Sequence, residues 1–137
     1  MRLNWPGAQA RHAKWSCVVI AYFASMYAQG GPPPAYAPRP EDTKLSRGRV
    51  TIERTSVMDG VLVINGNLPT PCHEIRVKTP LAPDVNGVAA IEVWSVFEAG
   101  KICTQMLAPF SVKVPISAEL AKAKLVVNGK PAGLPTE

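Results

Sequence analysis

Between residues 49 and 128 the chain alternates short runs of apolar and β-branched residues with clusters of Pro, Gly, Asn and Asp. Seven runs have strand length: 49–55, 60–66, 73–78, 88–97, 101–106, 110–116 and 124–128. Within several of them every second residue is apolar, as a strand with one buried face requires. Ile75 and Val77 point one way, with Glu74, Arg76 and Lys78 the other. Phe110, Val112, Val114 and Ile116 alternate in the same manner with Ser111, Lys113 and Pro115. In 88–97 the unbroken alternation assigns Ile91, Val93 and Phe97 to the core and Glu92, Trp94, Val96 and Glu98 to the opposite face. A single bulge between Glu92 and Trp94 would reverse that facing. Asp59-Gly60, Asn65-Gly66-Asn67, Asn86-Gly87, Ala99-Gly100 and Asn128-Gly129 supply the turns between runs. Pro69 and Pro71 interrupt the ladder, since neither has a backbone donor. One short helix is expected over 117–124, capped by Ser117 and favoured by Glu119 in its first turn. The pattern predicts an all-β, antiparallel sandwich or small barrel of about seven strands.

The residues before this pattern divide into two segments. In 1–30 a basic start with Arg2, Arg11 and Lys14 precedes an uncharged apolar run over 17–28. This is the arrangement of an export signal, and the run is short for a membrane span; retention as an uncleaved anchor is the alternative. Cys17 opens the apolar run, whereas a lipidation cysteine follows one, so it reads as a hydrophobe of the leader. Residues 31–47 form a Pro-rich linker: GGPPPAYAPRP holds five prolines and two glycines, and EDTKLSR continues it. Such a segment is expected to be an extended tether without regular structure. The domain, 48–131, is therefore expected to survive removal of everything before Thr43, and 132–137 to be a tail.

Location changes how charge and cysteine content are read. The 137-residue chain carries +5, but three of its fifteen basic residues lie in the leader, which leaves about +2 behind it. That is too little for an electrostatic footprint on nucleic acid; Glu53 interrupts the mild run of Arg47, Arg49 and Arg54, and aromatics are few. Behind an export signal two cysteines remain, Cys72 and Cys103, in a compartment where disulfides persist, and one intramolecular bridge is expected. A zinc site from Cys72, His73 and Cys103 is the competing reading. Adjacent Cys72 and His73 are not a usual ligand spacing, and no fourth ligand is evident because His12 lies in the leader. No metal or cofactor is expected.

Catalysis finds few parts. A Cys-His pair at Cys72 and His73 requires that Cys72 not be bridged, and Glu74, Glu92 and Glu98 fall on solvated strand faces. No phosphate-binding glycine loop, zinc-protease helix or dinucleotide fingerprint occurs. His73 is expected to cap a strand end. Trp94 and Val96, rimmed by carboxylates, are the candidate contact surface, together with His73.

The segments GNLPTPCHE (66–74) and ICTQMLAPF (102–110), with VVNG (126–129), resemble a set of small bacterial exported proteins and lipoproteins of uncharacterised function. In these an LPTPCH segment and a later C-x-Q-x-L-x-P-F segment belong to an immunoglobulin-like sandwich. The resemblance covers about 50–129 and implies the fold without implying an activity. Unlike the lipoproteins, this chain has no cysteine after its apolar leader. Together these readings predict a non-enzymatic, exported module, periplasmic or attached to the cell envelope. Its expected partner is an envelope or extracellular protein, with membrane contact only through the N-terminal segment if uncleaved. The alternative is an inhibitor that offers the proline-bounded Pro69-Thr70-Pro71 loop to a protease, since flanking prolines limit the entropy lost on binding.

Overall fold

The computed structural model describes residues 32–133, and the leader and Cys17 lie outside them. A short 3-10 turn (Pro40–Lys44) precedes strand β1 (Ser46–Gly48). Strands β2 (Thr51–Met58), β3 (Val61–Leu68), β4 (Glu74–Lys78), β5 (Val88–Phe97) and β6 (Ala108–Pro115) follow. Helix α1 (Ala118–Lys122), β7 (Lys124–Val127) and β8 (Lys130–Pro131) close the sequence of elements. The fold is an all-β sandwich. One sheet is β2-β3-β6; the other is built around β5, which pairs antiparallel with β1 and β4 but parallel with β7, a departure from the antiparallel pattern expected, and β7 pairs in turn with β8.

The apolar side of each alternating run meets its counterpart from the other sheet. Leu62, Ile64 and Val114 of the first sheet lie in one buried cluster with Val77, Ile91, Val93, Leu125 and Val127 of the second. Burying such side chains is worth roughly 1.5 to 3 kcal/mol each and is the main source of stability. The expected helix is a single turn: Ser117 Oγ accepts a hydrogen bond from Leu120 N–H, and the cap sets Leu120 into the core.

Among the described residues both outer strands of the three-stranded sheet have free edges, and β6 protects its own. Ile116 N–H donates to Gly60 O, so in the antiparallel register the alternate residues Pro109, Ser111, Lys113 and Pro115 direct their backbone outward. Two of these four positions are prolines without a donor and a third is lysine, a combination that discourages edge pairing.

The Asn128-Gly129 turn does more than reverse the chain. Asn128 and Gly129 both have positive φ, 48° and 82°, which closes the two-residue hairpin between β7 and β8. Val77 N–H points away from β5, to Tyr36 O, so the backbone groups of Val93 opposite it point away from β4. On that side β7 pairs with β5 up to Ile91, and β1 pairs with it from Ser95 onward. The gap between them is filled by the Asn128 amide, which donates to Val93 O and accepts from Val93 N–H, both at 2.8 Å. Asn128→Gly keeps the backbone conformation but leaves two backbone groups unpaired. It is expected to cost about 1 to 3 kcal/mol in chemical denaturation and to speed amide exchange at Val93. An unchanged midpoint would contradict this role.

Two expectations about the chain's course are corrected. Residues 101–106 form no strand: the segment is irregular, and its backbone is held by the link at Cys103 rather than by a ladder. The end of the proline-rich segment is no free tether either. Residues 46–48 are strand β1, Tyr36 packs on the core, and Asp42 and Ala35 bind Arg76. The cause is Arg76 itself. It lies on the outward face opposite Trp94, as alternation requires, yet it is only 2% exposed because the N-terminal segment covers it. Asp42 takes its guanidinium in a two-pronged ion pair at 2.8 and 3.0 Å, and Glu74 adds a third contact at 2.9 Å.

Candidate functional site

The segment after β3 ends in a compact knot. Thr70 is 7% exposed; its carbonyl accepts from His73 N–H, and its hydroxyl accepts from Cys72 N–H. The same hydroxyl lies 2.9 Å from His73 Nδ1. The hydroxyl, which has one proton and two lone pairs, can donate to Nδ1 of the Nε2–H tautomer or accept from the Nδ1–H tautomer. The ring is tilted against Phe97, with centroids 4.5 Å apart. It also lies over Gly48: a Cβ there would stand 2.6 Å from Ser95 Oγ and 3.1 Å from the imidazole. Gly48 is thus the residue that admits the histidine, and its place in β1 was not legible because residues 46 and 47 read as linker and the first strand was expected only from residue 49.

Cys72 and Cys103 are bridged, with their Cα atoms 6.1 Å apart across 31 residues. Neither sulfur remains as a thiolate ligand or nucleophile. The bridge pins the loop between β5 and β6 to the Pro69–Pro71 corner, and a shallow depression bounded by His73, Phe97, Lys101 and Gln105 lies beside it. Three large apolar side chains of this loop face solvent: Ile102, 98% exposed, with Met106 and Leu107. Sequence reasoning missed them because 101–106 read as a strand and Leu107 fell between it and the next one.

The Trp94 surface differs from expectation. No register shift occurs in β5, and Trp94 is on the outer face, half-buried. Val96 shares that face but is only 3% exposed, and this corrects its role as an exposed contact residue. It is flanked by Arg47 and Glu74, and the strap that binds Arg76 crosses the same side of the sheet. Arg47 lies over the Trp94 ring at 4.5 Å and is held there by an ion pair to Glu92. The indole is therefore roofed by a cation rather than open. The Pro69-Thr70-Pro71 loop is also not built as an offered loop, because Thr70 is buried and its hydroxyl is engaged by Cys72 and His73.

The family model for the ORF11 beta-sandwich domain matches residues 62–134. That span runs from β3 to the end of the described fold and includes both bridged cysteines and the Asn128 plug. No curated protein matches the chain, and no solved structure does.

Proposed function

The chain belongs to the ORF11 beta-sandwich domain family, and on that footing we propose a non-enzymatic binding module that acts outside the cytoplasm and contacts a protein or envelope surface. One observation carries this reading: Ile102, Met106 and Leu107 stand exposed on an irregular loop that is covalently pinned at Cys103. Apolar side chains that a domain of this size fails to bury are the usual anchors of a contact. A loop tied down by a bridge loses less freedom on binding than an untethered one. The bridge itself is compatible with an oxidising compartment, and export is the reading of the N-terminal leader.

The test is crosslinking in cells that express the full chain, compared with a variant carrying Ile102→Asp, Met106→Asp and Leu107→Asp. These positions make no core contact, so the variant should keep its thermal transition while losing the crosslinked partner. Unchanged crosslinks in a folded variant would remove the loop as the contact. Fractionation into the cytoplasm would remove the exported reading.

A further inference from the structure

A second surface lies away from the pinned loop, between the free edge of β2 and the β7-β8 hairpin. Its floor is apolar, made by Val50, Ile52, Val127 and Pro131, and its volume is about 140 Å³. That is well below the roughly 300 to 1,000 Å³ of sites that enclose a whole small molecule. It is of the order of one aliphatic side chain. Two cations line it and a third stands beside it. Arg54 and Lys130 form its walls, and Arg49 lines the adjoining depression that shares Val50 and Asn128 with it. Among the described residues none of these three has an ion-pair partner, whereas the neighbouring Arg47 is committed to Glu92. The nearest carboxylate on β2, Glu53, accepts from Asn67 on β3.

The strand beside the cleft is an edge. The two-residue turn at Asp59-Gly60 makes Met58 and Val61 a hydrogen-bonded pair, so the alternate residues Val57 and Thr55 turn their backbone groups away from β3. At the far side of this edge Gly133 N–H donates to the Thr55 hydroxyl, which marks one end of the opening.

We propose that this cleft binds an extended acidic peptide segment of a partner protein, seating one apolar side chain on the Val50-Ile52-Val127 floor and placing flanking carboxylates on Arg49, Arg54 and Lys130. Charge complementarity selects the occupant, since among the described residues the three cations have no ion-pair partner and the floor has room for one side chain. Beyond the register shift between Ile52 and Arg54, the edge of β2 supplies backbone partners at Thr55 and Val57 to a segment that lies extended along it. The site needs neither the loop at 98–107 nor its exposed residues.

The test is fluorescence anisotropy on the full chain with two labelled ten-residue peptides, each holding a central leucine, flanked in one by Asp and Glu and in the other by Lys. The acidic peptide should bind at least roughly tenfold tighter, and its affinity should fall as salt rises. Arg54→Glu with Lys130→Glu should weaken it by roughly tenfold or more, since two exposed attractions become repulsions. Replacing the peptide's leucine by alanine should also weaken it, and Lys113→Glu on the exposed face of β6 should change nothing. Equal binding of the two peptides, or no effect of the double charge reversal, would overturn the proposal. So would anionic phospholipid vesicles bound with the same sensitivity to the double reversal when the acidic peptide is not, because the cations would then serve a lipid surface. If the triple loop variant is the one that loses the peptide, this cleft falls and the binding-module reading stands.

Discussion

Asp42→Ala should lower the stability of this domain by about 3 kcal/mol, the low end of the cost of stripping one partner from a buried ion pair. Arg76 is enclosed beneath the N-terminal segment, and Asp42 engages both its Nε and one Nη. Without Asp42 the guanidinium keeps Glu74, whose side chain is 63% exposed, and two backbone carbonyls. For a domain of about a hundred residues, the loss corresponds to a fall in Tm on the order of 15 °C. Removing everything before Thr43 deletes Asp42 together with the Tyr36 and Ala35 carbonyls, and should cost at least as much. Arg76→Met in the Asp42→Ala background should recover part of the loss, because an apolar side chain leaves no buried charge behind. A truncated chain that melts with the full one would show that the segment contributes nothing.

The same pair sets a direction for acid sensitivity. The bonds from Arg76 hold the Asp42 carboxyl below its ordinary value of 3.8. A carboxyl depressed in the folded state contributes stability that is complete above the unfolded value and lost as pH falls through the folded one. The wild-type chain should therefore lose stability below about pH 4 more steeply than Asp42→Asn, which has no carboxylate to protonate. Parallel acid limbs in the two proteins would place the sensitivity elsewhere.

The strap was illegible in the sequence for a specific reason. Alternation in β4 assigns Arg76 to the solvent face, and geometrically it is there, facing the same way as Trp94. Its burial comes from Asp42, 34 residues earlier, in a stretch whose prolines and charges are the composition of a linker. A two-residue period reports which face a side chain takes, and it is silent about what covers that face. Val96 fails for the same reason. The bulk of the sandwich, by contrast, follows from local patterns: β5 spans the expected residues, Ser117 caps its helix, and the turns fall at Asp59-Gly60 and Asn128-Gly129. The amide of Asn128 lies between these cases. Its turn is local, but the backbone it completes is 35 residues away. Residues 101–106 show the opposite error, where a run of strand length has no sheet to join and is held instead through Cys103.

Removing the Cys72-Cys103 bridge should cost about 3 to 4 kcal/mol, since it closes a loop of 31 residues and restricts the unfolded chain accordingly. The effect is expected in a double Cys72→Ala, Cys103→Ala variant as well as on reduction, so that free thiols are not themselves the cause. Most of it should appear as a lower denaturant midpoint. The denaturant slope should also rise, because an unbridged unfolded chain exposes more surface. In the folded state the two ends of the bridge should respond differently. The Thr70 corner keeps its hydrogen bonds to Cys72 N–H and His73, and His73 keeps Phe97 and Gly48 around it. The loop at 98–107 has no ladder, and besides the link at Cys103 its backbone is held by two local hydrogen bonds, Lys101 N–H to Glu98 O and Met106 N–H to Thr104 O. Amide exchange in the unbridged protein should therefore rise at 101–107 while staying slow through β3 and β5. If the loop is the contact surface, partner affinity should fall in the same variant even at temperatures where the sandwich remains folded, because the anchors at Ile102, Met106 and Leu107 would have to be ordered on binding. Coincident denaturation curves with and without the bridge, together with unchanged exchange at 101–107, would show that other contacts hold this loop.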